Sequence, residues 1–264
     1  MRIGNIFWGV ILIVLGGMFF LKATGVITDV LGWFWPIFLM LLGAWVLAQR
    51  FLPRRAGSKS DTFSVDLQGA AKLDVSFDHA AGMVVFTGGA PAGVAMTGSQ
   101  ATGMAVKSSL AGDTLSLDME AGPTFVPFMG PDSGEWRLQL SEEVPVAIKV
   151  NAGASSMEFD MSAVKLTFLG VETGASSLRI KLPANAGQTL VSVESGAASI
   201  DISVPAGVAG RIRSEQGASS MNIDQTRFPL LTNMSGLYQS ADYDISANRV
   251  EINLEGGANS VTVR

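Results

Sequence analysis

Gly153-Ala-Ser-Ser-Met157, Gly174-Ala-Ser-Ser-Leu178, Gly196-Ala-Ala-Ser-Ile200, Gly217-Ala-Ser-Ser-Met221 and Gly257-Ala-Asn-Ser-Val261 are copies of one pentapeptide. Their glycines lie 21, 22, 21 and 40 residues apart, the last interval close to two periods. A degenerate copy, His79-Ala-Ala-Gly-Met83, stands earlier in the chain. Self-similarity at such a period is the signature of stacked repeats. Alternating runs precede the motif, as in Ile148-Lys-Val150, Val191-Ser-Val193 and Ile252-Asn-Leu254. Others follow it, as in Met157-Glu-Phe159, Leu178-Arg-Ile180-Lys-Leu182, Ile200-Asp-Ile202 and Val261-Thr-Val263. Period-two alternation marks a strand with one buried face. Pro183-Ala-Asn-Ala-Gly187 and Pro205-Ala-Gly-Val-Ala-Gly210 fill the gaps between runs. The pattern predicts an all-β solenoid of stacked coils of about 21 residues, two strands and two corners to each coil.

The motif residues are candidates for the repeat corners: Gly153, Ala154 and Ser156; Gly174, Ala175 and Ser177; Gly196, Ala197 and Ser199; Gly217, Ala218 and Ser220; and Gly257, Ala258 and Ser260. Stacked corners need Gly for unusual backbone angles and Ala for a tight interior, while Ser hydroxyls can bond along the ladder. The final run ends at Arg264 with no obvious cap, which predicts an exposed edge strand and self-association through it.

Outward from the repeats, composition breaks sharply. Residues 1–59 carry six Lys/Arg (Arg2, Lys22, Arg50, Arg54, Arg55 and Lys59) against the single acid Asp29. Residues 60–264 carry a net charge of −10. Ten of the 21 aromatic residues fall within the first 51. Ile3–Leu21 holds only Asn5 as a strongly polar residue, and Val30–Ala48 holds no charge; each is 19 residues long. A helix of about 20 residues crosses a hydrocarbon core of roughly 30 Å, so each segment is just long enough to span. The expected organisation is a transmembrane helical hairpin over residues 1–52, a basic linker over 53–60 and the β-solenoid over 61–264. A second uncharged segment and the lack of a small-residue cleavage site argue against a signal peptide. Arg50, Arg54, Arg55 and Lys59 flank the second span. The positive-inside bias then places both termini in the cytoplasm, and the cluster is a candidate contact for anionic lipid headgroups.

Candidate chemistry is thin. With no Cys and one His, most zinc sites, thiol nucleophiles and Ser-His-Asp triads are excluded. No catalytic, cofactor-binding or metal-binding residue is assigned, and no cofactor is expected. His79 has no second His or Cys to share a metal and reads as structural. Ser162-Ala-Val-Lys165 matches an S-x-x-K pattern without its companion motifs. Asp242-x-Asp244-x-Ser246-x-Asn248 starts like a calcium loop but has Ala247 where Gly is needed and Asn253 where Glu is needed. Glu158, Asp160 and Asp201 fall on outward positions, as a solvated face requires. The acidic balance excludes nucleic acid as a partner. Phe125-Val-Pro-Phe-Met-Gly130 is an apolar Gly/Pro-flanked loop suited to a contact or to covering the solenoid's end.

Phe7-Trp-Gly-Val-Ile-Leu-Ile-Val-Leu-Gly16 and Trp35-Pro-Ile-Phe-Leu-Met-Leu-Leu-Gly43 resemble the membrane region of LiaI/LiaF-type bacterial proteins. Asn151–Ser162 and Val171–Pro183 resemble the β-repeat domain that follows it there, labelled "toast rack" or "putative adhesin". Phe77 to Gly89 resembles that domain's first repeat. LiaF-type proteins act as accessory regulators of a membrane histidine kinase that senses envelope damage; one hairpin here, against four spans in LiaF itself, departs from that pattern.

The resemblance implies a non-enzymatic, multi-pass scaffold or regulator in the bacterial cell membrane, of the envelope-stress-response type. Its partners would be the lipid bilayer and membrane signalling or envelope proteins, bound through a cytoplasmic β-solenoid. The alternative is a surface-exposed structural or adhesive β-solenoid module, which needs the opposite topology. A solenoid hydrolase would need carboxylates paired in one groove.

Overall fold

Val150 and Met157 are both buried although seven positions separate them. In a straight strand an odd interval puts two side chains on opposite faces. The chain must therefore bend between them so that both halves of the strand face one core, and the Gly-Ala-Ser-Ser motif sits at that bend. The computed structural model describes residues 61–100, 104–121, 135–185, 187–231 and 235–264. In the N-terminal segment it describes Phe19, Phe20, Lys22, Thr24, Gly25, Trp35, Phe38 and Met40.

The chain divides into two compact units, Met1–Ser58 with Phe125–Gly130, and Lys59–Thr124 with Pro131–Arg264. In the first, Phe19, Phe20, Lys22, Trp35, Phe38 and Met40 are helical. Among the described residues no helix is long and apolar enough to cross a membrane. Most of the two expected spans lies outside the described residues, as do the linker with Arg50, Arg54, Arg55 and Lys59, and the loop Phe125–Gly130.

Among the described residues the second unit holds thirteen strands: β1 (Asp61–Asp66), β2 (Lys72–Gly88), β3 (Val94–Gln100), β4 (Met104–Ala111), β5 (Thr114–Ala121), β6 (Glu135–Leu140), β7 (Val146–Asp160), β8 (Leu166–Lys181), β9 (Gln188–Ser203), β10 (Ala209–Gln216), β11 (Ser220–Ile223), β12 (Leu237–Gln239) and β13 (Arg249–Val263). Five long strands stack in parallel in the order β2, β7, β8, β9, β13. Pairing continues on both sides of the bend, as from Ala152↔Thr173 to Ala154↔Ala175. Each long repeat is thus one uninterrupted strand of 15 to 17 residues rather than the expected two. The physical reason is that the corner bends the ladder without breaking it.

The two halves of each strand enclose the core between them. Val75, Phe77, Ile148, Val150, Val191, Val193, Ile252 and Leu254 come from the first halves; Val84, Phe86, Met157, Phe159, Ile180, Ile202 and Val263 come from the second. Phe77 meets Phe86 edge-to-face at 5.9 Å between ring centroids, joining the halves, while Phe86 stacks on Phe159 of the next coil at 5.1 Å. At the early end β5 and β6 pair in parallel with the first and second halves of β2, and antiparallel strands follow, β4 on β5, and β3 then β1 on β6.

The other end corrects the sequence reading. β13 is not an edge strand: it lies between β9 on one side and β10 with β11 on the other. The motif copy at Gly257 thus sits between those at Gly196 and Gly217, which is why its spacing is irregular. The chain leaves a gap after β9, builds β10 and β11, and returns to fill the gap. Arg264 is held there as well: its N–H donates to the Ile202 carbonyl, its own carbonyl accepts from Val204 N–H, and its guanidinium meets Asp201 at 3.1 Å. Among the described residues the unpaired edge of this half belongs to β11.

The corner glycines stack backbone on backbone. A Cβ added to Gly196 would lie 2.8 Å from the Gly174 carbonyl oxygen, and one on Gly257 would lie 2.8 Å from that of Gly196. For Gly174 over Gly153 and Gly217 over Gly257 the distance is 3.0 Å. Backbone cannot swing aside as a flexible side chain can. Gly196→Ala should therefore destabilise the domain by about 1–3 kcal/mol, read as a lower urea midpoint with an unchanged slope. Removing residues 249–264 leaves both flanks of the gap unpaired. That truncation should abolish cooperative unfolding altogether, as followed by circular dichroism against urea.

Candidate interaction surface along the coil corner

In-register parallel stacking turns each outward position into a line of side chains. On the second halves of the strands the expected solvated face is laced with ion pairs between neighbouring coils. Glu158 meets Arg179 at 3.8 Å, Asp160 meets Lys181 at 2.9 Å and Asp201 meets Arg264 at 3.1 Å. Such exposed pairs contribute little individually, but they neutralise like charges along the line. Ser162 and Lys165 do not form a catalytic pair: the Ser162 hydroxyl donates to Asp160 and the Lys165 ammonium to the Glu143 carbonyl. Asp244 is engaged by Arg211 at 3.0 Å, and no metal-ligating cluster exists among the described residues.

The last outward position before the corner is different. Register pairs Glu120 with Asp78, Asp78 with Asn151, Asn151 with Glu172, Glu172 with Glu194, Glu194 with Glu255 and Glu255 with Glu215. Seven strands thus carry one row in which every residue but Asn151 is acidic. All six carboxylates are on exposed residues. Neighbouring strands are about 4.8 Å apart, so the row runs about 29 Å. Like charges directly opposite one another destabilise a sheet, by up to about 1 kcal/mol per neighbouring pair before salt screening. Glu120 is relieved by Lys107 at 3.8 Å, Glu172 by Lys149 at 3.1 Å, and Asp78 accepts a 2.6 Å hydrogen bond from Asn151. Glu194, Glu255 and Glu215 have no ion pair among the described residues. The sequence hides this row because each member stands alone in its own coil, and only register brings them together.

The corner copies converge as one ladder. Ser156, Ser177, Ser199, Ser260 and Ser220 form an exposed hydroxyl row on the far side of the bend. Ala154, Ala175, Ala197 and Ala258 lie in register beside it, while Ala218 is on the exposed outer copy. Asn259, which replaces the usual Ser, reaches into the corner. Its Oδ1 accepts from the Ser195 hydroxyl at 3.1 Å and the Ala198 N–H at 2.8 Å.

At the early end of the row lies an open depression of about 480 Å³, bounded by Asp78, His79, Asn151, Gly153, Glu172 and Thr173. His79 is only 6% exposed. Its ring meets Trp136 edge-on at 4.0 Å and lies 5.7 Å from Phe77. Neither imidazole nitrogen makes a hydrogen bond of standard geometry. Burial pushes its pKa down from 6.5 to about 4, with a backbone interaction at Ala81 working weakly the other way. His79 is therefore neutral near pH 7 and offers an unshared lone pair.

The arrangement holds no nucleophile with an adjacent base; what it presents is a regular, charged line. A family model described as the N-terminal domain of toast_rack, DUF2154, matches residues 54–203, and one described as the LiaF transmembrane domain matches residues 7–85. The first covers more than half of the chain, and the chain belongs to the toast-rack family. The second describes a LiaF-like, membrane-associated N-terminal segment. The structure is similar to that of a "putative cell adhesion protein" from Clostridium sporogenes ATCC 15579, with a TM-score of 0.68 at 20% identity, covering 77% of this chain and 98% of that one. That likeness concerns the fold alone. A "putative adhesin" from Bacteroides fragilis NCTC 9343 covers 79% of this chain and 98% of its own at 8% identity, but its TM-score of 0.28 carries no argument. Among curated proteins no relative matches.

The depressed pKa of His79 makes stability depend on pH. Above pH 6.5 the group is neutral whether the chain is folded or unfolded, and its contribution is fully present. Between pH 6.5 and about 4 the unfolded chain takes up a proton that the folded one refuses, so stability falls. The loss should reach about 3 kcal/mol at most. Denaturant titrations across this window should show that slope in the native protein and not in His79→Leu.

Proposed function

We propose that this protein is a membrane-anchored, non-enzymatic scaffold or regulator of the bacterial cell envelope, of the envelope-stress-response type. The observation that carries the reading is the joint match to a LiaF transmembrane domain over residues 7–85 and to the toast-rack domain over residues 54–203. In this reading residues 3–21 and 30–48 form a transmembrane hairpin. Arg50, Arg54, Arg55 and Lys59 then hold its second exit at the cytoplasmic headgroups. The parallel strand stack works as a β-solenoid in the cytoplasm, with no cofactor, and its outward rows recruit membrane signalling or envelope proteins. Among the described residues the free edges of β11, β1 and β4 are the places where a second copy or a partner strand would add.

A stack built this way suits binding better than catalysis. Its outward positions are repeated lines rather than a cleft, and its polar groups are spread along them. The alternative, a surface-exposed adhesive module, uses the same stack with the opposite topology. A reporter fused after Arg264 separates the two. Signal from a reporter active only in the cytoplasm is the expected result. Signal from one active only outside the membrane would transfer the β-domain to the cell surface and replace the regulator reading with the adhesive one.

A further inference from the structure

We infer that the corner row from Asp78 to Glu215 is a docking track for an extended, Lys/Arg-rich segment of a partner polypeptide. The inference does not depend on which side of the membrane the domain occupies. It rests first on the contrast between rows. Where carboxylates recur on the second halves of the strands, basic residues of the next coil neutralise them, as Arg179, Lys181 and Arg264 do. Along the corner row Glu194, Glu255 and Glu215 are adjacent, exposed and without an ion pair among the described residues. A stack that gains nothing from such a line, and loses by mutual repulsion, presents it outward.

The second observation is independent of charge. His79 is more than nine-tenths buried, borders the depression between Asp78 and Glu172, and leaves both ring nitrogens without a hydrogen bond. At the opposite end, Gln216 directly follows Glu215, and both polar atoms of its amide are buried without a partner. Buried polar atoms are normally satisfied. Here unsatisfied groups stand at both ends of one acidic line. A polypeptide supplies both kinds of complement, cationic side chains for the carboxylates and N–H or hydroxyl donors for the imidazole.

Length selects a polypeptide over a small polyamine. From Asp78 to Glu215 the row crosses five strand spacings, about 24 Å, which corresponds to about seven extended residues at about 3.3 Å each. Arg213, which borders a small hollow with Glu215, Glu255 and Asn253, is the basic residue the incoming chain would share the unpaired end of the line with, as it would share Glu172 with Lys149.

The chain's only histidine makes the test clean. Fluorescent decalysine is titrated into the full-length chain in nonionic detergent at moderate salt, with binding read by anisotropy. The variant E194Q/E215Q/E255Q should bind at least tenfold more weakly. A control carrying D66N, E142Q and D242N, which removes the same three charges from elsewhere on the surface, should stay within about twofold of the native protein. In the native protein, bound peptide should also shift the ring C–H resonances of the single imidazole in the NMR spectrum. Equal weakening in the two variants would mean diffuse attraction to an acidic domain and would overturn the track. So would an imidazole signal that stays fixed at saturation. The row variant loses only repulsion between exposed groups, so its melting temperature, expected at or above the native value, confirms that it is folded.

Discussion

The contact on which the rest depends is that of one glycine backbone lying against the carbonyl of the next, at Gly174 on Gly153, Gly196 on Gly174, Gly257 on Gly196 and Gly217 on Gly257. A Cβ at Gly196 or Gly257 would lie 2.8 Å from the facing carbonyl oxygen, closer than real Cβ contacts come. Because the coils touch there, the ladder skips only the corner glycine pair and resumes in the same register, and the strand halves on either side face each other. The inward faces then interdigitate as a single core, from Phe77 and Phe86 at one end to Ile252 and Val263 towards the other. A wider corner would separate neighbouring strands beyond hydrogen-bonding reach and unpair both halves together.

That dependence extends to chain order. β13, which follows β10, β11 and β12 in the chain, is central in the stack, so β9 and β10 are bridged only when the chain returns between them. Pairings over such sequence separations carry a large loop-closure entropy before any contact compensates it. The carboxy-terminal residue is held by the main chain of Ile202 and Val204 and by the side chains of Asp201 and Ser203.

Regular register has a further consequence at the surface. Any residue type repeated at one coil position becomes a line at strand spacing, and its chemistry becomes collective. The Ser156–Ser220 line, the ion-paired line through Glu158 and Arg179, and the carboxylate line through Glu172 and Glu194 are three instances on one scaffold. The second is neutralised by its own ion pairs. The third is not, and it is bordered by the buried, unpartnered His79 and by an open depression. A binding protein without a cleft can gain specificity from such spacing, because a partner must match both the charge and the repeat.

The sequence by itself determined the repeat, its period, the buried faces and the need for small residues at the corners, because all of these are local. Alternation in Val191-Ser-Val193 and Ile200-Asp-Ile202 reports burial directly, and Gly-Ala-Ser-Ser recurs wherever backbone must approach backbone. The tertiary structure decided what depends on neighbours far apart in the chain. It placed the copy at Gly257 between those at Gly196 and Gly217, made the coils of β2, β7, β8, β9 and β13 one bent strand each while the Gly217 copy stays split between β10 and β11, and turned the C-terminal run from an edge into a central rung. It also aligned Glu172, Glu194, Glu255 and Glu215, residues up to 83 positions apart, into one row. The physical reason is that alternation fixes which way a side chain points, whereas only strand pairing fixes which side chains lie next to one another.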